Sequence, residues 1–393
     1  MMAQERIVLV ACVTLVGCSA LIGVNDLSYD PSAPGSSSGA SGGTSEGGAS
    51  SSSGASGSSS GSDASPCNAD LQKDPRHCGR CGHDCLDGEC AGGMCQPVEL
   101  TQGQPALIGL AVDATHVYFS THDASAVWRV PKGNGAVEKV ANMDYATGIA
   151  IDGTTLYFGG DGGSANLTRC EISNCEGTRK VLSARGYIEC VAVRNGIAYF
   201  TTETEVHRVR TDGTEEYVVG KVTGAQPIAV DDTHVYFGGI APDIQRSLLD
   251  GGMQSPVGPK GSFTTDAFIA LDADRVFWAS SVSGVGSVYA ASKAMPTTRT
   301  SFTTSGVRSI GIAVDDTYVY WSDAGNVVND LPANDGKLFA CPKAGCTSQN
   351  PPKVLATDLK LGGPIVALEN TIYWAEFGGY GNSSGRVRKV AKP

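Results

Sequence analysis

The residues best equipped for chemistry in this 393-residue chain are its thirteen cysteines. Six of them, Cys67, Cys78, Cys81, Cys85, Cys90 and Cys95, crowd into one polar, glycine-rich stretch. Two further pairs, Cys170 with Cys175 and Cys341 with Cys346, are each separated by four residues, and Cys190 stands apart. Clustered thiols form disulfides in an exported chain and bind metal in a cytosolic one. Zinc competes on spacing, because Cys78 and Cys81 are separated by two residues and have His77 and His83 beside them. The compartment decides between the two chemistries.

A second group consists of acidic residues and one imidazole that recur just beyond aromatic pairs. His122 and Asp123 follow Tyr118-Phe119, Asp161 follows Tyr157-Phe158, and Glu203 follows Tyr199-Phe200. Asp323 follows Tyr320-Trp321, and Glu376 follows Tyr373-Trp374. Gathered around one opening, such groups suit a divalent cation or a basic ligand; dispersed, they are ordinary solvated loop ends. Apart from that cation, no cofactor is expected and no metal ligand set is assigned. The chain has no nucleophile elbow, phosphate loop or His-x-x-x-His pair. A formal net charge of -11 with no basic run excludes a nucleic-acid partner, whose phosphates need clustered Lys and Arg.

The first residues address the compartment. Ile7 to Gly17 form an apolar run too short to span a bilayer, which takes about 20 residues, and fit the core of a signal peptide over 1–17. The run ends Leu15-Val16-Gly17-Cys18, which resembles the lipobox of bacterial lipoproteins. The resemblance implies lipidation of Cys18, a membrane anchor, and, with Ser19 following, an outer-membrane place in the cell envelope. Residues 31–66 are almost wholly Ser, Gly and Ala. They offer nothing to bury, so 18–66 is expected to be a linker reaching roughly 30–36 Å, with a glycosylated stalk as the alternative.

Export favours disulfides over zinc in the cysteine-rich segment 67–95. Six cysteines permit 15 pairings, and spacing does not choose among them. With almost nothing apolar between them, covalent bonds must hold any fold there. The centre Cys78-Gly79-Arg80-Cys81-Gly82-His83-Asp84-Cys85 resembles the Stig1-like cysteine motif of some bacterial surface lipoproteins. A stiff spacer at the base of the next domain is the plain reading, and a small binding knob the functional one.

From residue 107 one pattern returns seven times: apolar-Ala-apolar-Asp, a short turn, then apolar-aromatic-aromatic. Leu110-Ala111-Val112-Asp113 leading to Val117-Tyr118-Phe119 is the first copy, and Val366-Ala367-Leu368-Glu369 leading to Ile372-Tyr373-Trp374 the last. A period near 40–45 residues is that of propeller blades. Apolar residues on both sides of each alanine mark a strand buried on both faces, and the small alanine suits the crowded innermost strand. The expected fold is all-β: a seven-bladed β-propeller of four-stranded antiparallel blades over 97–393. The last copy stops after its third strand, so Val98-Glu99-Leu100-Thr101 is expected to supply the missing one and close the ring. Tyr320-Trp321-Ser322-Asp323 and Tyr373-Trp374-Ala375-Glu376 resemble the YWTD repeats of LDL-receptor class B propellers, which have six blades.

The two Cys-x4-Cys pairs are read as small bridges across hairpin loops, and Cys190 as a buried, inert thiol. His116 and His234 recur at one turn on the opposite face and are read as repeat descent. Arg129, Arg169, Arg208, Arg246 and Lys389 match one another on third strands and are read as packing. The long loop from Asp323 to Gly336 is a candidate contact surface. The functional expectation is a monomeric, non-catalytic binding or scaffold protein for a protein or glycan. The alternative is a propeller lyase or lactonase with a metal or acidic site at the channel mouth.

Overall fold

The computed structural model describes residues 67–393 apart from short stretches, of which 239–243, 259–267 and 304–308 are the longest. The expectations for the signal peptide, Cys18 and the linker fall outside the described residues.

Seven four-stranded antiparallel sheets follow one another in the chain. Blade 1 runs Leu107–Val112, His116–Thr121, Ala126–Pro131 and Glu138–Asn142. Blade 2 runs from Ala146–Asp152 to Lys180–Ser183, blade 3 from Cys190–Arg194 to Tyr217–Lys221, and blade 4 from Ile228–Val230 to Ser255–Val257. Blade 5 begins at Ile269–Leu271 and blade 6 at Ser309–Val314. Blade 7 takes Gly362–Leu368, Thr371–Glu376 and Gly385–Ala391 from the end of the chain and Val98–Gln104 from its start. That strand pairs antiparallel with Gly385–Ala391, Glu99 opposite Arg388. The ring is therefore closed as expected: the strand from the chain's start is the outermost of blade 7 and covers the edge that Gly385–Ala391 would otherwise expose.

The repeat pattern maps directly onto packing. In six blades the motif alanine stands opposite a buried aromatic of the second strand, as Ala111 does with Tyr118 and Ala313 with Tyr320; in blade 7 Ala367 faces Ile372 and Val366 takes the place opposite Tyr373. Neighbouring sheets share apolar clusters: Leu110 and Phe119 of blade 1 pack with Tyr373 and Val387 of blade 7. Where inner strands converge, even a methyl group is too large. A Cβ on Gly109 would meet the Thr147 carbonyl oxygen at 2.5 Å. Hydroxyls cross the same seam, with Ser120 Oγ donating to the Thr147 carbonyl and Thr147 Oγ1 to that of Ile188.

On the opposite face, one latch recurs at four seams. A lysine just after the third strand of one blade reaches the acidic residue in the first turn of the preceding blade. Lys293 meets Asp231 at 2.8 Å, Lys343 meets Asp272 at 2.7 Å, and Lys392 meets Asp315 at 2.9 Å. Across the closing seam Lys132 stands 3.9 Å from Glu369. The latched aspartates also organise their own turns: Asp231 accepts from the backbone of Thr233 and His234 and from the Tyr236 hydroxyl. The matching cations of the third strands stand opposite the tyrosines, Arg129 facing Tyr118 and Lys389 facing Tyr373. Both also form ion pairs, Arg129 with Glu138 and Lys389 with Asp87, each at 2.7 Å.

The cysteine-rich segment is held by bridges Cys67–Cys81, Cys78–Cys90 and Cys85–Cys95. All six sulfurs are bonded to one another, so the zinc alternative has no free thiolate to use. The segment docks on the last blade: Lys389 Nζ meets Asp87 at 2.7 Å, and His83 Nε2 lies 2.8 Å from the Lys392 carbonyl oxygen. A cleft of about 810 Å³ runs between it and strand Lys353–Leu359. Bridges Cys170–Cys175 and Cys341–Cys346 also form. Cys190 lies on an inner strand and is buried, as anticipated.

Candidate functional site

One face of the disc carries the loops joining second to third strands and those leading into each inner strand. The sequence motif ends each second strand at this face, so the next residues must lie on it. At blade 1 the strand stops at Thr121, and His122 turns across the seam. Its Nδ1 lies 3.0 Å from Asp123 Oδ1, and its Nε2 lies 3.3 Å from Asp161 on blade 2. Asp123 is in turn fixed by the backbone N–H of Gly381, in a loop of blade 7, at 2.7 Å. A single imidazole is therefore clamped between two carboxylates supplied by adjacent blades. The Asp161 and Asp123 contacts raise the His122 pKa above its ordinary value, against the opposing effect of burial.

Glu189 joins this group, although nothing in the repeat pattern singled it out. It lies in the loop that enters blade 3, one residue before the inner strand. Burial pushes its carboxyl up to about 7; the negative charges of Asp161 and Glu203 add to the shift and His122 opposes it. Its signal was positional: the loops entering inner strands share the face with the loops that hold the other candidates.

Two tyrosines flank the cluster from the same class of loop. Tyr145 precedes the inner strand of blade 2, and its ring lies 4.7 Å from the ring of His122. Tyr187 precedes Ile188 on the way into blade 3. Both rings are exposed, Tyr145 by 46% and Tyr187 by 54%. Both backbones are left-handed, with φ of 47° and 58°. Ala106 and Leu361 take the same conformation at the equivalent place but are buried. The turn is thus a feature of the fold. What distinguishes blades 2 and 3 is a large aromatic ring held outward on a backbone that bulky residues rarely adopt.

The six candidates taken from the sequence do not form a ring. His122, Asp123 and Asp161 come together, and exposed Glu203 acts on Glu189 from nearby. Glu376 is not presented to a ligand. It is fully buried and accepts from Trp374 Nε1, the Lys360 backbone, Arg386 and Arg388. Asp323 is also buried and accepts from the Gly325 backbone. Each is drawn inward by the donors of its own blade, which a motif spacing cannot reveal. His116 and His234 each pair with a neighbouring threonine hydroxyl at the opposite face, away from this cluster.

No protein-family model matches the chain, and no curated protein matches it. Solved structures do resemble it. Virginiamycin B lyase from Staphylococcus aureus with quinupristin is 16% identical, with a TM-score of 0.57, covering 76% of this chain and 99% of that one. The WD40 β-propeller domain of Doa1 is 10% identical, with a TM-score of 0.56, over 75% of this chain and 96% of that one. YCF48 bound to D1 peptide is 9% identical, with a TM-score of 0.55, over 76% and 95% respectively. Identities this low show a shared propeller fold and nothing about ligands.

Proposed function

We propose that this chain is an envelope-anchored binding or scaffold protein whose propeller recognises a protein or glycan through the face of blades 7, 1, 2 and 3. The observation that carries this reading is the exposed ring of Tyr145 lying against His122, itself clamped by Asp123 and Asp161. Outward aromatic rings supply large contact area at little entropic cost, and adjacent carboxylates and imidazole orient polar partners. Cys18 would hold the protein to the outer membrane, with 31–66 as the spacer. Binding to a glycan array and to envelope extracts, compared between the wild type and the Tyr145→Ala and His122→Ala variants, tests the face. Retention of every captured partner by both variants would remove it. Mass analysis of the N-terminal peptide from native membranes tests the lipid on Cys18.

A second reading is favoured by one observation. Glu189, pushed up to about 7, stands in the electrostatic field of His122, whose own pKa is raised. A carboxyl at about 7 exchanges protons near neutrality and suits general acid–base chemistry. In that reading the propeller is a lyase or lactonase. Turnover of lactones or cyclic depsipeptides by the purified chain, with and without a divalent cation, and its loss in Glu189→Gln, would favour the enzyme over the binding protein.

A further inference from the structure

His207, on the third strand of blade 3, is fully buried, and neither of its ring nitrogens has a hydrogen-bond partner. Its ring stacks on Phe200 with centroids 5.1 Å apart, and Phe200 belongs to the cluster that joins blades 2 and 3. Three charged groups face it. Glu205 comes from its own strand, Glu216 from the approach to the outer strand, and Arg185 from the loop entering blade 3. Glu205 Oε2 lies 3.2 Å from Nε2 and Glu216 Oε1 lies 3.8 Å from Nδ1, neither aligned as a hydrogen bond. That same Glu216 oxygen accepts from Arg185 Nε at 2.6 Å. One carboxylate oxygen is therefore claimed by a guanidinium and stands within reach of an uncharged imidazole. Burial, reinforced by Arg185, lowers the His207 pKa below its ordinary value.

We propose that His207 is a proton-operated latch on the turn that presents Tyr187: on taking a proton, the ring competes with Arg185 for Glu216 and releases residues 184–187. The released stretch ends where the backbone is pinned, since Ile188 N–H donates to the Gly160 carbonyl at 2.8 Å and Glu189 N–H to that of Thr201 at 3.0 Å. Acid then unfastens Tyr187 while leaving Glu189 in place. The consequence for ligand binding rests on the function proposed above; the latch does not.

Hydrogen exchange of the Arg185 amide, which donates to Ser183 Oγ at 3.3 Å, tests the latch in the full chain without any ligand, once corrected for intrinsic rates. The Arg185–Glu216 pair is half open to water. Its loss is therefore expected to raise exchange about two- to fivefold as the pH is lowered from about 7.5 to well below the ordinary imidazole value of about 6.5. In His207→Phe, which keeps the stack on Phe200, exchange should not change with pH. In Arg185→Gln it should already be raised at the higher pH. Unchanged protection in the wild type overturns the proposal, and so does an equal rise in His207→Phe. Should His207→Phe not fold, a pH response in Arg185→Gln equal to that of the wild type would overturn it.

Discussion

Lys392, next to the end of the chain, places its ammonium 2.9 Å from Asp315, in the first turn of the preceding blade. Asp315 also accepts from the backbone of Thr317 and Tyr318 and from the Tyr320 hydroxyl. One carboxylate thus organises a turn, caps a buried aromatic and ties two sheets together. Replacing Asp315 with Ala strands all four donors. We expect a loss of about 1–3 kcal/mol in urea unfolding. Lys392→Met should cost less, because it leaves the turn intact. Equal losses would mean that the turn contributes nothing of its own.

The pH dependence follows from the same turns. Burial raises the pKa of Asp272 and of Asp315, but the donors around each outweigh it, and both fall below the ordinary 3.8. A carboxyl depressed in the folded state contributes stability that is present above 3.8 and is lost as pH falls through the folded value. The melting-temperature gap between the wild type and Asp315→Asn should therefore narrow once pH drops below 3.8. A gap that stays constant down to acid unfolding would disprove the assignment.

Glu376 is the severest test of the core. Its carboxylate has no exposure and balances Arg386 at 2.6 Å and Arg388 at 3.4 Å. Glu376→Leu leaves both cations uncompensated and should cost about 3–5 kcal/mol, read as a fall in denaturant midpoint. Restoring balance with Arg386→Met in the same chain should recover part of the loss.

Tyr145 and Tyr187 predict a trade between stability and recognition. Glycine at either position relieves the left-handed strain, and we expect a gain of up to about 1 kcal/mol on thermal unfolding. Ligand capture should fall in the same variants. A variant that is both less stable and fully active would contradict the role given to these turns.

Ring closure gives a final expectation. A chain starting at Val98 keeps the strand that completes blade 7 and should unfold in one cooperative step. A chain starting at Ala106 exposes the edge of Gly385–Ala391 and should aggregate or melt early. Comparable melts for both chains would show that the clasp is dispensable.

How much was legible beforehand depended on whether the information repeats. The seven alanine-and-aromatic motifs carried the fold, because a strand buried on both faces needs the same residue classes wherever it occurs. The missing strand of the last copy announced the clasp, and the short Cys-x4-Cys spacings announced two bridges. The cysteine pairing, the sharing of Asp161 between blades and the inward turn of Glu376 and Asp323 were decided only by tertiary structure. Each depends on which side chains meet across a seam or within one sheet. Repeats that look alike in the chain differ there, because Arg386 and Arg388 face Glu376 while His122 faces Asp161. Local sequence determined the blades; the contacts between and beneath them determined which polar groups are left to face a ligand.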